Sequence, residues 1–512
     1  MKALLTLVVI ATSLSAAASD FNGTWVGGTN ALGSPAFVQV VIEKGGGSIE
    51  VPSEDVMLPL RDMKSDGPKL GFSIVSPLGT FVFSGQLEGA VVRGRLKTPM
   101  GSEGSMQFQR TATMRGTPGG YAGLYLAPSG VATIVIARRG QLRAVNTTTL
   151  ASTRLVPVEG GAFLDAATVV EDPATGRRLE FAYGTNGEVV AMTNGAVTSQ
   201  RTARIDQDLV RFTNGAITLG GTFLKPQGVS KVPVAVVVHG SGLVTRDMLL
   251  QRAQLLLRAG VAVFLYDKRG TGESGGDWQV ASFDDLAGDA LAAVRAMRSR
   301  PDVDPKRIGV VGHSQAGWIV PIVASKDPEV AFAVIASGGA ISPLDQEVFR
   351  SEAQTKHHFT AQDAADAKAF TTALWTYART GEGWDAYEKA WVAAAPKPWF
   401  RTVAGPRTRD DLRWTQTRLF AAYDPLPILR KVHAPSLVLF GKDDELVPSD
   451  RAADLWRRTA GSNVEVVMIP GTGHNLMVRH GEGSAYAPQY VTRMLAWLQQ
   501  RGIIPKDSPM LW

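Results

Sequence analysis

The sequence predicts a mostly parallel α/β domain from about residue 205 onward, interrupted by a helical insertion and preceded by an all-β region of one or two small barrels or sandwiches. Three observations carry this expectation. After residue 205, near-continuous apolar runs alternate with stretches of helical spacing, the pattern of strands covered on both faces. Between Ser337 and Lys431 the alternation stops and helical character takes over. Between Asp20 and about Ile205, short alternating apolar segments are broken by Gly, Pro and Asn, which argues antiparallel sheet.

Taken in chain order, Lys2, the apolar run Ala3 to Leu14 and the small residues Ser15-Ala16-Ala17-Ala18 have the three regions of a secretory signal peptide, with cleavage after Ala18. Export to a bacterial periplasm or the medium is therefore expected. That apolar run is too short for an ordinary spanning helix, and no later stretch reaches about 18 uninterrupted apolar residues, so no membrane span is expected. The chain has no cysteine, which excludes disulfides, thiolate metal sites and lipidation at the cleavage site. A net charge of +6 over 512 residues is modest and its basic residues are scattered, which argues against nucleic acid as a partner.

Two β-rich modules are expected, residues 19–115 and 116–204. The first opens at Phe21-Asn22-Gly23-Thr24-Trp25-Val26-Gly27 and closes near Phe108-Gln109-Arg110; the second opens at Tyr121-Ala122-Gly123-Leu124-Tyr125. Phe72 to Val75, Thr80 to Phe83 and Val91 to Leu96 fit strands of an antiparallel barrel or sandwich. Trp25 and Tyr125 read as core residues, with a ligand cup or glycan-binding module as the alternative.

The domain from 205 to 512 opens with a hairpin, Leu209 to Phe212 and Ala216 to Leu224, whose Asn214-Gly215 suits a type I′ turn. Strands are predicted at Val234–Val238, Val261–Tyr266, Arg307–Val311, Phe332–Ala336, Ser436–Phe440 and Val464–Ile469. Helices are predicted at Leu249–Ala259, Asp284–Arg300 and Ala485–Gln500. The insertion, about 341–430, holds Trp375, Trp384, Trp391, Trp399 and Trp414 with Tyr377 and Tyr387, expected mostly as the core of a cap, with one or two left to wall a small-molecule pocket.

Chemistry concentrates where predicted strands end. Gly312-His313-Ser314-Gln315-Ala316-Gly317 joins a strand to a helix, and small residues around Ser314 permit the sharp turn that lifts a hydroxyl clear of a sheet edge. A nucleophilic serine needs a base and a carboxylate to orient that base. Asp443, Asp444 and Glu445 stand in the loop after Ser436–Phe440, and His474 ends the Pro470-Gly471-Thr472-Gly473 loop after Val464–Ile469. The glycines from Gly270 to Gly276 lack the Gly-Lys-Ser/Thr ending of a phosphate loop and read as a tight turn. His357-His358 lacks the further ligands a metal would need, so no metal is expected there.

From about Asp208 onward the sequence resembles the bacterial α/β-hydrolases grouped with carboxylesterases and with serine aminopeptidases of the prolyl-oligopeptidase-like kind. The resemblance rests on the Gly312 to Gly317 motif, the order Ser, Asp, His, and three further stretches: His239-Gly240-Ser241-Gly242, Tyr266-Asp267-Lys268-Arg269-Gly270-Thr271-Gly272-Glu273-Ser274 and Tyr423-Asp424-Pro425. It implies an α/β-hydrolase domain with Ser314 as nucleophile, His474 as base and Asp444 as acid, with Asp443 in reserve. It implies oxyanion donors at the backbone N–H groups of Gln315 and Ser241, and His239 as a brace. Ala316 departs from the family's commoner Gly. Neither cofactor nor metal is implied, and the expected partner is a small ester or, alternatively, a short peptide. Glu382, Asp385 and Glu388 are the compact acidic group that could grip a peptide N-terminus. A binding or scaffold protein with a vestigial hydrolase is the alternative of another class.

Overall fold

The computed structural model describes residues 20–506 except 32–35, 45, 52–55, 77–78, 139, 148–151, 167–176 and 481–482. The expected signal peptide, 1–18, lies outside the described residues. The chain divides into two compact units. One reaches to Tyr121 and takes in Ala137–Ala144 and Thr153–Gln200; the other comprises Ala122–Ile136, Val145–Ser152 and the chain from Arg201 onward.

The first unit holds a closed barrel of eight strands between Gly23 and Arg110, each antiparallel to the next. The strand Gly23–Thr29 closes the ring by pairing with Glu103–Arg110, Trp25 opposite Arg110. Alternation drives the closure: in Ala36–Glu43 every second residue is buried, so one face is apolar throughout and must turn inward. Rings fill the interior. Trp25 is 1% exposed and its Nε1 donates to Phe21 O at 2.8 Å, while Phe72 and Phe83 stack with centroids 4.7 Å apart. Gly85 and Gly94 leave room for Phe83, since a Cβ on either would come within 2.6 Å of its ring. Trp25 is thus core, as is Tyr125 in the other unit. Further antiparallel strands of the first unit, Ser152–Pro157, Phe163–Asp165, Arg178–Tyr183 and Val189–Asn194, pack Phe163 and Phe181 edge-on against Tyr121.

Eight neighbouring strands of the second unit carry the site: β1 (Val197–Asn214, in this unit from Arg201), β2 (Ile217–Pro226), β3 (Val232–Val238), β4 (Ala262–Tyr266), β5 (Val303–His313), β6 (Phe332–Ala336), β7 (Ser436–Gly441) and β8 (Val464–Ile469). Their order is β1-β2-β4-β3-β5-β6-β7-β8, with β1 and β2 antiparallel and the run from β4 to β8 parallel. All seven residues of β3 are buried, as the apolar run predicted. On one face lie α1 (Arg246–Arg258) and α10 (Pro488–Gln500); on the other lie α2 (Phe283–Arg298), α3 (Ala316–Lys326) and α9 (Ser449–Thr459).

Two local expectations are corrected. The hairpin turn centres on Gly215-Ala216, with Asn214 still paired opposite Ile217. Only Gly215 of the two takes positive φ, +57°, which is the type II′ pattern rather than type I′. The cause is the side chain of Asn214, which donates to Asp289 Oδ1 at 2.9 Å and so keeps its residue in the ladder. Secondly, Ala485 lies in a short strand, Gly483–Tyr486, paired with Met477–His480, and the last helix begins only at Pro488. Proline lacks the N–H that a helix interior uses and suits its first turn.

Between β6 and β7 the insertion forms a helical cap: α4 (Pro343–His358), α5 (Ala361–Thr380), α6 (Trp384–Ala394), α7 (Arg413–Ala421) and the one-turn α8 (Leu426–Leu429). Thr360 and Asp363 start α5 with a capping box, and Gly381 at φ +75° ends it. Trp399, Trp414, Tyr377 and Tyr387 are the buried centre, with Trp375, Trp384 and Trp391 packed against them. Buried indoles need acceptors, and they have them: Trp414 Nε1 donates to Thr408 O at 2.8 Å and Trp399 Nε1 to Asp363 Oδ1 at 3.1 Å. Among the described residues no helix is long and apolar enough to cross a membrane.

Removing the indole at the centre of the barrel tests this packing. Trp25→Ala should cost about 3–5 kcal/mol. Hydrogen exchange should show protection lost across Gly23–Thr29 and Glu103–Arg110 while the strands β3 to β7 keep theirs.

Candidate active site

The turn from β5 into α3 sets Ser314 at φ +60°, a left-handed conformation that costs a side-chain-bearing residue about 1 kcal/mol or more. It is held on both sides. Ser314 N–H donates to Ala336 O at 2.9 Å, and Gly317 N–H donates back to Ser314 O at 2.8 Å. A Cβ at residue 312 would lie 2.4 Å from Ala316 Cβ and 2.9 Å from Val320 Cγ2. Gly312 thus absorbs the crowding, and the methyl of Ala316 is accommodated. Across the turn, a Cβ at residue 338 would come 2.2 Å from Ser314 O, and one at 317 would come 2.3 Å from Gly338 C. Two backbones therefore touch directly here, which requires glycine at Gly317 and Gly338.

His474 reaches the serine from the loop after β8. Ser314 Oγ lies 2.9 Å from His474 Nε2, and His474 Nδ1 lies 2.8 Å from Asp444 Oδ2. With the Nδ1 proton donated to the carboxylate, Nε2 is left to accept from the hydroxyl. The other carboxylate oxygen of Asp444 accepts the N–H groups of Leu446 at 2.7 Å and Val447 at 3.0 Å, which fixes the acid in its loop. Asp443, the reserve acid, is exposed and meets the loop through its backbone N–H, 2.9 Å from Thr472 O. The carbonyl of His474 accepts from His313 Nε2 at 2.8 Å. Burial holds the His313 imidazole well below its usual pKa, so it stays neutral and serves as a donor.

The loop after β3 lies alongside. His239 donates from Nε2 to Tyr266 O at 2.6 Å, and burial lowers its pKa to about 3, so it is a neutral brace. Ser241 stands exposed in that loop, and Gln315 is buried at the start of α3, where N–H groups lack intrahelical acceptors. The model of the alpha/beta hydrolase family matches residues 235–485, a span containing the whole constellation. The C-terminal domain is an α/β hydrolase.

Esterase EstD of Thermotoga maritima is 25% identical to this chain over 283 residues, 54% of this chain and 61% of that protein. The chain therefore spans less than two thirds of that relative's length. The uncharacterized protein Rv2307c of Mycobacterium tuberculosis is 26% identical over 269 residues, 52% of this chain and 72% of that protein. Among solved structures, the esterase PF2001 of Pyrococcus furiosus is 17% identical, with 58% of this chain and 91% of that one covered at a TM-score of 0.41.

The α/β-hydrolase domain leaves other sequence candidates apart from the Ser314 cluster. Glu388 pairs with Arg407 at 3.3 Å, and Glu382 and Asp385 are exposed on the cap. His357 pairs with Glu445 at 3.2 Å, and no group of potential metal ligands forms among the described residues. The Gly270 to Gly276 stretch closes on itself through Gly270 N–H to Gly275 O at 2.9 Å. Three contributors were not anticipated: His313, the glycine wall at Gly338, and Lys268, whose Nζ reaches Gln315 Oε1 at 3.0 Å. The visible signal for Gly338 was a glycine pair one residue past the strand run Phe332–Ala336.

Gly338→Ala places a methyl against the Ser314 carbonyl and should unseat the elbow. The expected result is a loss of about 2 kcal/mol or more in urea unfolding, as overpacking costs of this kind run. Labelling of Ser314 by a fluorophosphonate should fall in parallel.

Proposed function

We propose that this chain is an exported serine hydrolase that cleaves small carboxylic esters through an acyl-serine intermediate. The observation that carries the reading is the hydrogen-bonded row from Ser314 Oγ through His474 to the buried Asp444, seated at the ends of β5, β8 and β7. Similarity to a protein named as an esterase supports the ester as substrate. Export rests on the charged, apolar and small-residue order of residues 1–18.

Ser314 Oγ attacks the ester carbonyl carbon while His474 Nε2 takes its proton. The oxygen that becomes negative is met by the N–H groups of Gln315 and Ser241. As the tetrahedral carbon collapses, the bond to the alcohol oxygen breaks and His474 passes its proton to that alkoxide. A water then gives a proton to His474 and attacks the acyl carbon. Collapse breaks the bond to Ser314 Oγ, which recovers the proton, and the carboxylic acid leaves. Asp444 holds Nδ1–H and stabilises the transient imidazolium.

Hydrolysis of p-nitrophenyl esters of graded chain length tests the reading, with amino-acid p-nitroanilides beside them. Ester turnover should exceed anilide turnover, and Ser314→Ala should abolish it; comparable anilide turnover would move the substrate class to short peptides. Asp444→Asn should lower kcat by roughly 10⁴-fold, the scale on which a wrong imidazole tautomer acts. Asp443→Asn should stay within about threefold of the unmodified enzyme.

A further inference from the structure

The two arms of the proposed oxyanion site follow different strands, the loop Gly240 to Gly242 after β3 and Gln315 after β5, and one side chain bonds to both. Lys268, just beyond the end of β4, is 1% exposed. Its Nζ donates to Gly240 O at 3.0 Å, Gly242 O at 3.1 Å and Gln315 Oε1 at 3.0 Å, using all three ammonium protons. The Trp278 ring centre lies 5.3 Å away. That tryptophan's carbonyl accepts Gln416 Nε2 of α7 at 3.0 Å.

A buried ammonium is ordinarily offset by a carboxylate, because an isolated charge is costly to desolvate. Lys268 has no carboxylate partner among the described residues. Its sequence neighbours are committed elsewhere: Asp267 meets Arg246, and Arg269 makes a two-pronged pair with Asp289 at 2.8 Å on both prongs. The charge is met by three carbonyl oxygens and the face of the Trp278 ring, none of them ionised. A trans peptide is planar, with its C=O and the following N–H pointing in opposite directions. By holding Gly240 O toward itself, Lys268 turns the N–H of Ser241 away to the other side.

We infer that Lys268 is a positioning residue of the oxyanion site: it orients the Ser241 N–H and ties that loop to Gln315, so that the two donors keep a fixed spacing. This rests on the serine-hydrolase reading above. Burial lowers the Lys268 pKa to about 8. The titratable neighbour acting with it is His239, neutral because burial has lowered its own pKa to about 3, and Trp278 is uncharged. Below about pH 8 the ammonium serves three acceptors; above it, an amine with two protons leaves one acceptor unserved and the charge is gone.

The test measures kcat and KM for p-nitrophenyl acetate from about pH 6 to 10 on the full chain, with Lys268→Met, Lys268→Arg and Ser314→Ala. For Lys268→Met, kcat should fall roughly 10- to 100-fold, less than or comparable to loss of an oxyanion donor, with KM within about threefold. The fall of wild-type kcat above about pH 8 should vanish in Lys268→Met. Lys268→Arg should recover part of kcat without that alkaline limb. Wild-type kcat in Lys268→Met, or a loss confined to KM or Tm, would overturn the proposal. If Lys268→Met does not fold, the wild-type profile and Lys268→Arg decide, and a wild-type kcat that stays flat through pH 9 overturns it. Activity retained by Ser314→Ala would instead overturn the underlying mechanism, so the two failures are distinguishable.

Discussion

The geometry of the site hangs on a contact between two stretches of bare backbone. Gly317 at the start of α3 and Gly338 beyond β6 approach so closely that neither tolerates a Cβ, and the Ser314 carbonyl fills what space remains. This contact, with the hydrogen bond from Ser314 N–H to Ala336 O, keeps a serine in the left-handed region that it would otherwise leave. With the backbone so turned, Ser314 Oγ lies within hydrogen-bond distance of His474 Nε2. The parallel pairing of β5 with β6, Gly312 beside Ile335 and His313 beside Ala336, brings the two backbones to the same level.

Charge is handled differently on the two sides of the serine. Asp444 is fully served, by His474 on one oxygen and by two backbone N–H groups on the other. The Asp267 carboxylate, wholly buried, takes Arg246 N–H on one oxygen and Glu273 N–H on the other, and the Arg246 guanidinium also pairs with Glu273. Gly272 is what lets that carboxylate sit so near the chain, since a Cβ there would come 2.4 Å from it. Asp267 is thus matched by a cation, whereas Asp444 is held by neutral donors. Lys268 on the other side is held by neutral acceptors, the carbonyl oxygens of Gly240, Gly242 and the Gln315 side chain.

Much of this was legible in the residues. Phe332–Ala336 and Val464–Ile469 are strands over the predicted residues because apolar runs flanked by turn residues admit little else. Ser314, His474 and the acidic loop were marked by their places at strand ends, while Asp444 was separated from Asp443 only by family pattern. What could not be read depends on contacts distant in sequence. The hairpin turn shifted because Asn214 found Asp289, 75 residues away. His313 and Lys268 gain their roles from carbonyls in loops that follow other strands, which no local spacing encodes. The start of α10 was misread because Ala485 and Tyr486 are buried or half-buried like helix residues, yet belong to a small hairpin.

The cap enters the chain between two strands that are themselves direct neighbours, with Ala333 paired to Ser436 and Ala336 to Leu439 across the excursion. Everything from Pro343 to Leu429 is thus a detour whose two ends are already held together by the sheet. Since closing a longer loop costs only a logarithmic increment of entropy, its length and sequence are weakly coupled to the platform beneath. The hydrolase platform and the helical insertion it carries can in consequence diversify on separate evolutionary clocks, and a transplanted insertion would inherit a ready-made foundation.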